Sequence, residues 1–131
     1  MSETDILLAE LFNSNVETYL QIFFGFVSAT SAFLIVAHST AREMPRALAS
    51  VAVTLYTVTS IVLIAGTSRQ GLSIVGIRSQ LKQIDALHWH PAVYAPDWLA
   101  MLNMYGMVII EFFLFLGAVW YFLHARKQST P

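Results

Sequence analysis

Polar and apolar positions fall in long blocks along this chain. Charged residues cut it into three runs that hold no Lys, Arg or Asp. Residues 18–37, between Glu17 and His38, read TYLQIFFGFVSATSAFLIVA. Residues 47–68 lie between Arg46 and Arg69, and residues 98–123 between Asp97 and His124. The runs are 20, 22 and 26 residues long, and only the third holds an acid, Glu111. As helices each covers about 30 Å or more, the thickness of a bilayer's hydrocarbon core. A membrane β-barrel needs alternating segments of about ten residues, and the sequence has none. The pattern predicts an all-α integral membrane protein with three transmembrane helices in a single membrane domain, residues 1–131.

The segments between the runs carry their own pattern. Between Arg46 and His38 the connection is short and holds Pro45, which suits an antiparallel hairpin. The second connection is long. Within it Ile74, Ile77, Leu81, Ile84 and Leu87 recur at spacings of three and four, while Ser79, Lys82 and Gln83 fall on other faces. That spacing predicts an amphipathic helix over 71–88, too polar to span and lying in the membrane interface. Pro91 follows, and the residue before a proline avoids the helical region. Asp97, just after Pro96, suits an N-cap for the third span. Trp89, Tyr94 and Trp98 match an aromatic belt at headgroup depth. The N-terminal tail, 1–17, has an apolar side at Ile6, Leu7 and Leu11 that suits a second, short interfacial helix. Residues 124–131 form a C-terminal tail.

Composition narrows the reading. Hydrophobic residues make up 56% and charged residues 11%, against about 25% charged in soluble domains. A chain of 131 residues leaves too much surface to hide that much apolar area in a water-soluble fold. With 7 Lys and Arg against 8 Asp and Glu, there is no basic stripe for nucleic acid. No cysteine is present, which removes disulfides and thiolate chemistry. The sequence lacks H-E-x-x-H, a phosphate-binding glycine loop and G-x-S-x-G. No enzymatic activity and no cofactor are expected.

Orientation follows from basic residues in short loops. Arg42, Arg46, Arg126 and Lys127 fall on one side, and Arg69, Arg78 and Lys82 on the other. The bias, four against three, together with an N-terminal tail without Lys or Arg, predicts a multi-pass protein of the cell membrane. Its N-terminus is then outside and its C-terminus cytoplasmic.

Glu111 is the most informative position. It stands 14 residues after Asp97 and 13 before His124, so its own helix places it near mid-membrane. An ionisable group there costs about 2.5–3.5 kcal/mol to insert and marks a functional candidate. It is expected to be neutral and bonded within the protein. Ser28 on the first span and Tyr56 and Thr57 on the second stand at matching depth and complete a polar site. Gly25 with Ala29, and Ser50 with Thr54, form small-residue faces suited to close helix packing. His38 and His124 end two spans at one surface, a weak haem-ligand pair, and His88-x-His90 is a weak metal pair. These features point to a non-catalytic accessory or stabilising subunit of a larger membrane complex. Its partners are then the lipid bilayer and another membrane protein. A homo-oligomeric channel or proton-coupled carrier built from copies of the chain around Glu111 is the alternative.

Overall fold

The computed structural model describes residues 2–83 and 96–128. They form three helices: α1 (Glu3–Thr40), α2 (Arg46–Lys82) and α3 (Asp97–Lys127). No strand occurs among the described residues. All three helices are long and apolar enough to cross a membrane.

α1 starts at a capping box. The Ser2 hydroxyl accepts from the Asp5 amide at 3.3 Å, and the Asp5 carboxylate accepts from the Ser2 amide at 3.2 Å. Two amides that the helix leaves unpaired are thus satisfied. Nothing between Glu3 and Phe24 breaks a helix, since the stretch holds neither glycine nor proline. The tail and the first span are therefore one helix of 38 residues, about 57 Å long. A separate short interfacial helix over the tail does not form.

The same fusion happens in α2, and it overturns the expected amphipathic helix over 71–88. Arg46–Lys82 runs unbroken for 37 residues. Ser68, Arg69 and Gln70 are all tolerated in a helix, and no proline intervenes before Pro91. The periodicity itself was a sound signal of burial. Ile77 and Leu81 are buried and Ile74 packs against them, but their partners are Phe12, Leu8 and Val16 of α1. The apolar stripe faces another helix of the same chain, because α1 also continues beyond its charge-free run. Ile84 and Leu87, on which that expectation also rested, lie outside the described residues.

α1 and α2 are antiparallel, joined by a short turn at 41–45. Arg126 of α3 closes that turn, donating to the carbonyls of Ala41 at 3.2 Å and Met44 at 2.7 Å. Thr30 and Tyr56 share a buried hydrogen bond of 2.8 Å, and Asn15 donates to Ser73 at 3.2 Å. These two bonds fix the hairpin register along most of its length. α3 lies against both helices, parallel to α1, with Pro96 rather than Asp97 at the N-cap position.

The core has two apolar parts. Near the turn, Phe33 stacks between Tyr56 (centroids 4.1 Å apart) and Phe122 (5.1 Å). Ala37, Ala41, Ala49, Ala118 and Ala125 let the backbones approach around them. At the far end Phe12, Ile77 and Leu81 form the second part. Buried Tyr19, Ser60, Thr67 and Glu111 belong to neither apolar part.

Candidate functional site

Glu111 is completely buried inside this single bundle. Thr67 of α2 donates its hydroxyl to Glu111 Oε1 at 2.7 Å. The same hydroxyl stands 3.0 Å from the Leu63 carbonyl, the usual back-bond of a helical threonine. Glu111 Oε2 has no hydrogen-bond partner, and the Tyr19 hydroxyl and Gln70 Oε1 are likewise buried and unpartnered. Tyr19 lies within electrostatic range of Glu111. Each helix therefore brings polar groups inward: Tyr19 from α1, Thr67 and Gln70 from α2, Glu111 from α3. Among the described residues no group of three His, Asp or Glu side chains is placed to hold a metal ion.

The partner of Glu111 is not one of the hydroxyls that depth arithmetic selects. Tyr56 is bonded to Thr30, Thr57 is half-buried, and Ser28 faces outward. Thr67 stands ten residues further along α2 than Thr57, about 15 Å along the axis. The reason is register. Asp97 pairs with Arg78, ten residues beyond Ser68, where the charge-free run of α2 ends. The apolar run of α3 therefore begins well past that of α2. Glu111, central in its own run, is level with the edge of its neighbour's.

The small-residue faces also sit elsewhere than expected. Gly25 is exposed, and a Cβ built on it meets nothing within 4 Å. Ser50 and Thr54 are exposed, and Ala29 is half-buried. The glycine that does serve close packing is Gly71. A Cβ there falls 2.5 Å from Met104 Cγ and 3.6 Å from the Tyr19 ring.

His38 bonds the Tyr121 hydroxyl through Nδ1 at 3.0 Å. His124 stacks on Trp120 with centroids 5.0 Å apart and bonds Gln128 at 3.0 Å. The two histidines are thus engaged with different neighbours. His88 and His90 lie outside the described residues.

The sequence reading missed an ion-pair cluster. Arg78 Nη1 and Lys82 Nζ, one turn apart on α2, both donate to Asp97 Oδ1, at 2.7 and 3.0 Å. The Arg78 side chain is buried while that of Asp97 is 81% exposed. The hydrogen bonds from Arg78 and then Lys82 hold the Asp97 carboxyl below its usual range. Cations at i and i+4 on one helix, with an acid opening the next, were the available signal. An acid in the first turn of α3 also suits its dipole.

Among the described residues, fold and site define three helices long and apolar enough to cross a membrane, with a glutamate buried between them. No protein-family model, curated protein or solved structure matches this chain.

Proposed function

We propose that this chain is a non-catalytic subunit of the cell membrane that packs against, and stabilises, another membrane protein. The observation that carries this reading is the length of the bundle set against its surface. On α1 and α2, Lys, Arg, Asp and Glu are confined to Glu17, Arg69 and positions beyond them at one end, and to Arg46 and the turn at the other. The belt between accommodates about 30 Å of hydrocarbon. Past Glu17 and Arg69 both helices continue together for about 20 Å. On that extension Leu7, Leu11, Leu72, Trp98 and Leu102 are exposed. We take a protein partner, rather than acyl chains, to cover these side chains, since Glu17 and Arg69 close the charge-free belt of α1 and α2 before them. Burying each is worth about 1.5–3 kcal/mol relative to exposure. Inside the belt, the open face at Gly25 and Ser28 admits a second helix at short range.

With the N-terminus outside and the C-terminus cytoplasmic, the extension stands on the outer face and meets the partner there. In mild detergent the protein is expected to migrate within a larger hetero-complex. Cross-links from the extension should lead to a second polypeptide. Purification from native membranes as a lone, stable monomer overturns the reading. The alternative, a homo-oligomeric channel or proton-coupled carrier, needs Glu111 to face a pathway. Its carboxyl instead points into one bundle toward Thr67, so this reading stands second. It is recovered if a defined homo-oligomer conducts in liposomes and Glu111→Gln abolishes the flux.

A further inference from the structure

We infer that the groove between α2 and α3 at the turn end of the bundle holds the head and upper chain of an anionic phospholipid, with its phosphate on Arg46. The groove has a volume of about 370 Å³, within the range of about 300–1,000 Å³ typical of small-molecule sites. Arg46, Ser50 and Thr54 line it from α2, and Phe122, Leu123 and Arg126 from α3. The site is separate from the extension and from the face at Gly25 offered to a protein partner, and the inference does not rest on that reading.

Polar and apolar groups are ordered along the groove as they are along a lipid. Arg46 closes the charge-free run of α2 at the turn, so it stands at headgroup level. Ser50 and Thr54 follow at successive spacings of four, about 6 and 12 Å deeper along the helix. That spacing keeps all three on one face, and Phe122 and Leu123 supply the apolar wall beside them. A phospholipid carries its phosphate outermost, then its ester carbonyls, then its chains. The carbonyls accept hydrogen bonds and the two hydroxyls donate them. Further along the same helix, Thr67 and Ser68 turn their hydroxyls back to the carbonyl four residues before, each at 3.0 Å. Ser50 and Thr54 make no such bond to any described residue, and both are exposed.

Charge selects the head. Arg46 is exposed and gives no hydrogen bond or ion pair to any described residue. Its fork of five donors, which matches a phosphate, is open to the groove. Arg126 is committed to the turn carbonyls of Ala41 and Met44 and serves as wall. No acid lines the groove. A phosphate there gains a counter-charge, whereas the cation of a zwitterionic head finds none. The N-terminus of α2 acts in the same direction, since Pro45 gives no side-chain cap and the first turn holds no acid, so the helix dipole also favours an anion. The orientation proposed above puts this end in the cytoplasmic leaflet, which carries anionic lipids; the chemistry of the site is the same in either leaflet.

The test is native mass spectrometry of the full-length chain from a non-ionic detergent. The probes are dioleoyl phosphatidylglycerol, dioleoyl phosphatidylcholine and glycerol 3-phosphate, each alone. Phosphatidylglycerol should give one saturable adduct per chain. Phosphatidylcholine should bind about fivefold more weakly, the difference expected for one unit of charge beside one cation at a membrane surface. Glycerol 3-phosphate should give no adduct, because the apolar wall then goes unused. Arg46→Gln should weaken the phosphatidylglycerol adduct about fivefold. Arg42→Gln, at the same end but outside the groove, should leave it unchanged. Both arginines are exposed, so neither substitution disturbs the core. Val53→Trp, which fills the groove, should weaken the adduct as well. Equal retention of the two phospholipids by the wild-type chain overturns the proposal. So do equal losses in Arg42→Gln and Arg46→Gln, the mark of diffuse attraction, an adduct unchanged in both Arg46→Gln and Val53→Trp, or glycerol 3-phosphate held as tightly as the lipid.

Discussion

Replacing Thr67 by valine removes the one hydroxyl that holds Glu111 while keeping the side chain's shape. In the folded protein Glu111 Oε1 then loses its 2.7 Å bond, and both carboxyl oxygens are left without a partner, since Oε2 already has none. Interhelical hydrogen bonds of this kind contribute about 0.6 kcal/mol on average within membranes, and about 1.7 at most. Leaving a buried acceptor unsatisfied raises the cost to about 1–3 kcal/mol. Thr67→Val should therefore destabilise the bundle by about 1–3 kcal/mol. Glu111→Gln keeps an acceptor for Thr67 and should be nearly neutral. Glu111→Leu removes the acceptor, so in that background Thr67→Val should cost little. The double-mutant cycle between Thr67→Val and Glu111→Leu isolates the bond, and its coupling should come close to the whole Thr67→Val loss, about 1–3 kcal/mol. The assay is reversible unfolding in mild detergent micelles titrated with a denaturing detergent, followed by helical circular dichroism. A coupling of zero within error would falsify the interhelical bond. A full-sized loss on Thr67→Val in the Glu111→Leu background would refute the argument in a second way, by locating the cost elsewhere.

The two glycine environments predict opposite signs. Gly25→Ala should stabilise by up to about 1 kcal/mol through helix propensity, whereas Gly71→Ala should destabilise by about 1–2 kcal/mol because Met104 must move; micelle unfolding of the two variants checks both. Glu111→Lys should block insertion or assembly, since a cation replaces a fully buried side chain, and membrane-fraction yield measures this. The Asp97 clamp should fail in acid. The Asp97 carboxyl titrates below its ordinary value of 3.8, so its contribution is present above that pH and is lost as pH falls through the lower folded value. The difference in melting temperature between wild type and Asp97→Asn should thus shrink on strong acidification, and a gap unchanged with pH argues against the clamp. Single cysteines at Ser2 and Ser79 should react with an impermeant maleimide added outside, and those at Ser39 and Ser129 should not; the reverse pattern inverts the orientation.

What the sequence determined by itself is the class of fold and the identity of the residues that matter within it. Three charge-free runs require helices, because only a helix satisfies its own backbone across hydrocarbon. The 3–4 spacing of Ile74, Ile77 and Leu81 requires a buried face wherever that segment lies. A lone acid in an apolar run requires a protein partner, and Glu111 has one in Thr67. Each of these follows from composition within a single segment. Tertiary structure decided everything that depends on how segments are aligned. Whether the stripe of α2 faces lipid or protein depended on α1 also running past its apolar stretch. Which hydroxyl meets Glu111 depended on the offset between α2 and α3. Which glycine is crowded depended on where Met104 arrives. The register comes from the short turn at 41–45, the Thr30–Tyr56 bond and the Arg78–Asp97 pair, and the two bonds join residues 26 and 19 positions apart in sequence. Helical periodicity repeats every turn, so shifting one helix along another by two or three turns keeps every apolar face inward. Local pattern cannot choose among those shifts; the few polar bonds that fit in only one of them do.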